Sequence, residues 1–196
     1  MRSIGIVVGF LGLLAACEKP QRKPLLPSEV PPFVAQDIPK KREPLPLTVE
    51  IPAFRKGARI PVDYTCDGRN ISPEIRWSGA PEETKSFAIY MFDPDAGDFV
   101  HWLVYNIPAS LEGLPEDLPK MAELEGGIRQ GKNSFGGTGY GGPCPPKGRP
   151  PHRYVFRVYA LGSTLELMPA ASREAFLTAI EEHILAVGEY QGLYGR

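Results

Sequence analysis

From Gly126 to Pro151 the chain reads GGIRQGKNSFGGTGYGGPCPPKGRPP, and more than half of these residues are glycine or proline. Proline removes a backbone donor and glycine pays extra entropy in any regular element, so this stretch is neither helix nor strand. A loop of this length in a compact domain is functional or disordered. Phe135 and Tyr140 within it argue against plain disorder. Whatever folds around it must hold a long irregular segment in place. The flanking sequence offers strands for that purpose. Leu47–Ile51, Ser86–Phe92, Val100–Ile107 and Arg153–Leu161 are rich in aromatic and β-branched residues and are bounded by Pro, Gly, Asp or Asn. Ser172 to Val187 reads as a helix capped by Ser172, with Phe176, Leu177, Ile180, Ile184 and Leu185 on one stripe and Gly188 as its end. Glu189 to Tyr194 reads as a short last strand. The sum is an all-β dominated domain, a sandwich with a peripheral C-terminal helix.

The first 46 residues do not belong to that pattern. Met1-Arg2 supplies a positive end, Ile4–Ala16 an apolar run, and Leu14-Ala15-Ala16-Cys17 small residues before a cysteine. This is the layout of a secretory signal, and the run is shorter than the roughly 20 residues a membrane span takes. Cysteine directly after Leu-Ala-Ala resembles the bacterial lipobox, in which the thiol is acylated and becomes the new N-terminus. An ordinary signal with a chance cysteine and an uncleaved anchor are the alternatives. From Glu18 to Pro46, eight prolines and mostly basic charges predict an extended spacer. The expected organisation is therefore a lipoprotein signal over 1–16, a proline-rich tether over 17–46 and one domain over 47–196. Such a protein would sit in the cell envelope, lipid-anchored to a bacterial membrane and facing outside the cytoplasm. A formal net charge of −1 provides no field for nucleic acid.

The residues with chemistry to offer are few. His101 lies within a predicted strand, eight residues after Asp93. His152 opens another strand directly after the glycine-proline loop. Asp93-Pro94-Asp95 lies at a strand end, where sites are commonly built. With a side-chain period of two, His101, Leu103 and Tyr105 share one face, and His152, Tyr154, Phe156 and Val158 share another. If the faces meet, both histidines, Tyr154 and the aspartates converge beside a loop rich in backbone N–H groups. Histidines in strands are as often ordinary core residues. His183 sits beside Glu181 and Glu182 and is expected to be structural or exposed, and Trp77 and Trp102 to be core or pocket wall. A His/carboxylate metal site and an acid-base pair are alternative readings of the cluster, and neither needs the glycine-proline loop. No Ser or Cys is placed by motif beside a base, so no catalytic residue is assigned and the protein is not expected to be an enzyme.

DPDA, HWLVYNIP and FGGTGYGGPCPPKGRPPHRYVFRVYAL, in this order, resemble the phosphatidylethanolamine-binding protein family and in particular its bacterial Raf kinase inhibitor-like branch. YTCDGRNISPEIRW and HILAVGEYQGLYGR add to the likeness, which covers about residues 47 to 196. The resemblance implies two antiparallel sheets in Greek-key order with a C-terminal helix. It implies a small pocket for phosphate, acetate or phospholipid head groups. Asp93, Asp95, His101, His152 and Tyr154 match the family's pocket residues, with Gly142, Pro143 and Cys144 at its rim. It also implies a tight turn at Asp93–Pro94, expected to be cis. Cys66 and Cys144, the two cysteines left once Cys17 is acylated, are placed at one end of the sandwich and expected to pair. Two departures stand out. Phe99 replaces the tryptophan common two residues before the first pocket histidine, keeping an apolar wall without the indole N–H. The stretch from Asp95 to His101, AGDFV, is short.

Three functions are compatible with this sequence. One is a tethered binding module for a small anion or phospholipid head group, with no cofactor and no metal. Another is an interaction protein that inhibits an envelope protease or other protein partner. The third is an uncharacterised hydrolase or metalloprotein. The family's eukaryotic kinase-inhibitor role does not transfer, because an exported protein does not meet cytosolic kinases.

Overall fold

The computed structural model describes residues 43–196. The expected signal segment, Cys17 and all but the last residues of the expected tether lie outside the described residues.

The described chain is dominated by strands: β1 Leu45–Pro46, β2 Thr48–Glu50, β3 Ile75–Ser78, β4 Ser86–Asp93, β5 Phe99–Pro108, β6 Gly113–Leu114, β7 Arg129–Gln130, β8 His152–Leu161 and β9 Ile184–Tyr194. The α-helix among them is α1, Arg173–Ile180. The strands form a six-stranded sheet in the order β1-β9-β8-β4-β5-β7 and a three-stranded sheet in the order β2-β3-β6. All pairings are antiparallel except that of β1 with β9, which is parallel. Pairing thus begins at Leu45, two residues before the expected domain start.

β4 is buried at all eight positions, because β8 and β5 flank it and both faces of the large sheet are covered. One core joins the two sheets: Val49, Ile75, Trp77 and Leu114 from the small sheet pack with Phe87, Ile89, Met91, Trp102 and Phe156 from the large one. The other core lies on the opposite face, where Phe176 and Ile180 of α1 cover Tyr90, Leu103, Tyr105 and Tyr159. Ser172 caps α1, its side chain accepting from the Ala175 N–H at 3.2 Å.

The helix is shorter than its apolar stripe predicts. It ends at Ile180, and the chain turns and enters β9 at Ile184. From Ala186 onward every second residue is buried, through Gly188, Tyr190, Gly192 and Tyr194. That is a strand period, and it overrides the weaker helical one. Gly188 is not a helix end. It lies within β9 where the incoming chain crosses, and a Cβ there would meet Leu47 O at 2.1 Å. His183 falls in the turn between α1 and β9 and is exposed. The Asp93–Pro94 bond is trans, contrary to expectation. Asp93 instead caps the 3-10 turn Pro94–Ala96, its Oδ1 accepting from the N–H groups of Asp95 (2.9 Å) and Ala96 (3.2 Å). Proline's fixed φ suits the first position of such a turn, so the trans form needs no tighter bend.

Candidate functional site

At one end of the large sheet β4, β5 and β8 bring four polar side chains, Asp93, His101, His152 and Tyr154, to the same face. β8 alternates regularly, so His152, Tyr154, Phe156 and Val158 align, with the last three in the core shared by the sheets. β4 puts Phe87, Ile89 and Met91 on that face, and Asp93 continues the series. β5 departs from the expected alternation. Met91 pairs with Trp102 but Phe92 pairs with Val100, so His101 is the extra residue of a bulge. Bulges re-aim side chains in this way. Leu103 and Tyr105 face α1, whereas His101 packs edge-on against Tyr154, ring centroids 5.1 Å apart. The expected sharing of one face by His101, Leu103 and Tyr105 therefore fails, and its failure is what delivers His101 to the site.

These residues surround a pocket of about 150 Å³, lined by Asp93, Ala96, Phe99, His101, Phe135, His152 and Tyr154 together with Cys144, Pro145 and Pro146. Asp93 is buried and organises one wall. Its Oδ2 binds His152 Nδ1 at 2.7 Å, while Oδ1 holds the 3-10 turn. His101 Nδ1 lies 2.6 Å from Gly141 O. A carbonyl only accepts, so that nitrogen carries the proton and Nε2 of the neutral ring is left as an acceptor. The Tyr154 hydroxyl is fully buried and has no hydrogen-bond partner among the described residues. Asp93 acts on it by charge and by a loose hydrogen-bond contact that falls short of full hydrogen-bond geometry. Burial first, then the charge of Asp93, pushes the Tyr154 phenol up, so it keeps its proton and has a donor to give.

The glycine-proline loop is ordered by specific contacts. Tyr140 is buried edge-on against Trp102 at 5.5 Å and donates to Tyr64 O at 2.7 Å. The Gly142 N–H donates to Asn70 Oδ1 at 2.8 Å, and Pro143 O accepts from the Cys66 N–H at 3.1 Å. Cys66 and Cys144 are joined by a disulfide, with Cα atoms 5.4 Å apart. Gly142 and Pro143 thus fasten the loop to residues 64–70 and do not line the pocket, whereas Cys144, Pro145 and Pro146 do. Asp95 is also off the wall. It is exposed and clamped by Arg153, which donates from its backbone N–H at 2.8 Å and from Nη2 at 2.6 Å. The side-chain hydrogen bond from Arg153 is the main cause that holds the Asp95 carboxyl down at about 2. Arg153, not singled out in the sequence, is one residue past His152 and so on the opposite face of β8, which places Asp95 outside the pocket. Among the described residues no group of three or more His, Cys, Asp or Glu is placed to hold a metal ion.

The model of the family described as phosphatidylethanolamine-binding protein matches residues 50–195. The chain belongs to this family. A UPF0098 protein of Aquifex aeolicus (strain VF5) is 51% identical over 147 residues, covering 74% of this chain and 85% of its own length. Two crystal structures are similar. YbcL of Escherichia coli, titled a new member of the mammalian PEBP family, matches with TM-score 0.72 and 35% identity over 76% of this chain and 98% of its own. CT736 of Chlamydia trachomatis, titled a putative PEBP homologue, matches with TM-score 0.69 and 34% identity over 77% and 98%.

In this family member burial, and not the charge of the nearby carboxylate, decides the state of His101. Burial lowers the His101 pKa below 6.5 and outweighs the opposing pull of Gly141 O and Asp93. Between the lowered folded value and the ordinary value of about 6.5, the unfolded chain binds a proton that the folded chain does not. His101 therefore contributes its full stability above pH about 6.5 and loses it as pH falls towards the folded value. The melting temperature of the protein is expected to fall on acidification below about pH 6.5, and the His101→Gln variant to show a shallower fall. Parallel profiles for the two proteins would mean that His101 is not held neutral.

Proposed function

We propose that this phosphatidylethanolamine-binding protein family member is a lipid-anchored binding protein of the bacterial envelope, whose pocket takes a small oxyanion such as phosphate or a phospholipid head group. The observation that carries this reading is the buried, unpartnered hydroxyl of Tyr154 on the wall of the pocket. Buried polar groups are nearly always satisfied, so an unpartnered hydroxyl on a residue that lines a cavity asks for a ligand. The family's description names a phosphorylated head group, which points to the same class.

The donors and acceptors divide as follows. In its imidazolium form His152 is bound to Asp93 through Nδ1 and donates from Nε2. Tyr154 donates its hydroxyl. His101 offers Nε2 as an acceptor. Two donors and one acceptor complement an oxyanion that retains one O–H, as a singly protonated phosphomonoester does. Asp93 stays off the ligand, because its oxygens are engaged by His152 and the 3-10 turn. Phe99, Phe135, Pro145 and Pro146 supply an apolar surround that strengthens these bonds. No group in this arrangement is assigned to bond breaking.

The test is calorimetric titration with phosphoethanolamine from pH 5.5 to 8.5, about a unit or more either side of the ordinary histidine value. Affinity is expected to fall as pH rises and the singly protonated form of the ligand, whose phosphate loses its last proton at about pH 6, is depleted. His152→Ala is expected to weaken binding by roughly 1.5–3 kcal/mol, the range for a hydrogen bond to a charged group. Binding that is absent throughout, or indifferent to this change, removes the anion reading. The second reading, inhibition of an envelope protease or other protein partner, then moves ahead. It is favoured by Phe135, which is 52% exposed at the mouth of the pocket.

The anchor rests on Leu14-Ala15-Ala16-Cys17 after the apolar run. Cys17→Ser in a bacterial host is expected to abolish acylation and release the protein from the membrane fraction. Unchanged mature mass and fractionation would dispose of the lipoprotein reading.

A further inference from the structure

The loop that walls the pocket with Cys144, Pro145 and Pro146 goes on to wall a second, larger groove of about 590 Å³. Arg59, Lys147, Arg149 and Arg196 line it, with Tyr194 and the carboxylate of Asp67. Four cationic side chains against one carboxylate side chain is a local excess that the net charge of −1 for the chain gives no reason to expect. That carboxylate is already engaged. Asp67 accepts from the Tyr194 hydroxyl at 2.7 Å and from Arg196, whose Nε lies 2.9 Å from Oδ2 and whose Nη2 lies 2.8 Å from Oδ1. Arg59 lies over the Tyr194 ring, 5.1 Å from its centroid, and donates to Gly195 O at 3.1 Å. Among the described residues neither Lys147 nor Arg149 makes an ion pair or hydrogen bond, although Lys147 acts on Asp67 through space.

The frame of the groove is fixed while these charges are left over. The Gly148 N–H, between Lys147 and Arg149, donates to Arg196 O at 3.0 Å. The disulfide anchors the start of the loop and Asp67 follows Cys66 directly. Among the described residues Arg59, Lys147 and Arg149 have no carboxylate side chain paired with them, and like charges in one groove repel each other within the screening length of about 10 Å at 0.1 M salt. A multiply charged anion relieves that repulsion. Guanidinium forks match the paired oxygens of phosphate, and an ammonium adds a point charge. We infer that this groove is a second oxyanion site, built for a phosphate group carrying two negative charges, either free or ending a phosphomonoester head group. It shares a loop with the pocket but none of the pocket's lining residues.

The experiment is an amide-shift titration by NMR of the full chain in non-ionic detergent, with inorganic phosphate in one arm and glycerol 3-phosphate in the other. The Gly148 and Arg149 amides are expected to titrate as one set in the first arm, separately from His101 and Tyr154. Lys147→Ala with Arg149→Ala is expected to raise the dissociation constant of the groove set by about tenfold or more, as removal of charge-assisted bonds does, and to leave the pocket set unchanged. Both side chains are exposed on a loop, so the fold is not at stake. Raising salt to about 1 M, where screening shortens to about 3 Å, is expected to weaken the groove set further. Tighter binding of glycerol 3-phosphate assigns the groove to a head group, and equal binding to free phosphate. Groove amides that do not move, or that move only with the pocket set and survive the double substitution, overturn the inference and leave the pocket reading standing. A groove set that titrates while the pocket set is silent supports the groove and counts against the pocket.

Discussion

Replacing both Cys66 and Cys144 with serine is expected to destabilise the protein by about 4.5 kcal/mol, the chain-entropy figure for releasing a loop of this size. The two residues are 78 apart in sequence. The unfolded chain therefore loses much conformational freedom when they are joined, and regains it when they are not. The folded state has other fastenings at the same place. The Cys66 N–H donates to Pro143 O, the Gly142 N–H to Asn70 Oδ1 and the Tyr140 hydroxyl to Tyr64 O. These hold the loop against residues 64–70 without the covalent bond, so the effect should fall on stability more than on the shape of the pocket. Urea unfolding is the measurement, with a lower midpoint and a steeper slope for the double variant, because the unlinked unfolded chain exposes more surface. A loss below about 1 kcal/mol would show that the cross-link does not constrain the unfolded chain as the entropy model requires.

The alternation of β8 was legible in the sequence because nothing interrupts it, and it correctly put His152 and Tyr154 on one face. β5 carries equally strong strand residues, but a bulge at His101 has no signature in composition, and period-two reasoning sent that histidine to the wrong side. The end of α1 was misread for a related reason. Ile184 and Leu185 fit a helical stripe, and only the contact of Gly188 with the crossing chain at Leu47 reveals why that glycine is there. Asp95 was grouped with Asp93 because the two are near neighbours. Its true partner, Arg153, is 58 residues away and on the outer face, which no local pattern shows. The walls formed by Ala96, Pro145 and Pro146 were likewise hidden, since small and apolar residues in turns carry no chemical label. The resemblance to a family located the pocket, and long-range packing decided which members of the matched set line it.

Asp93 is where those long-range effects converge, and Asp93→Ala is expected to cost about 3–5 kcal/mol, the range for breaking a buried pair by removing one partner. Its side chain is 4% exposed and supports three donors: His152 Nδ1 and the N–H groups of Asp95 and Ala96. Alanine leaves all three without their charged acceptor, which water entering from the pocket replaces only in part. The variant is therefore expected to lose both stability and anion binding, which by itself would not separate a folding role from a role in orienting His152. Asp93→Asn separates them. The amide oxygen keeps accepting from the turn, so the turn is preserved. The amide nitrogen, however, now donates towards His152 Nδ1, which must accept. The ring then carries its proton on Nε2 while neutral. The proton offered to the ligand no longer depends on the imidazolium form, and the bond becomes a neutral one, about half as strong as its charge-assisted counterpart. Phosphoethanolamine binding by Asp93→Asn is expected to be weaker than in the unaltered protein at pH 5.5, while its urea unfolding midpoint stays much closer to that of the unaltered protein than the alanine variant's does. Binding by the asparagine variant as tight as that of the unaltered protein at that pH would show that Asp93 does not set the proton position on His152, and that the buried pair serves the fold alone.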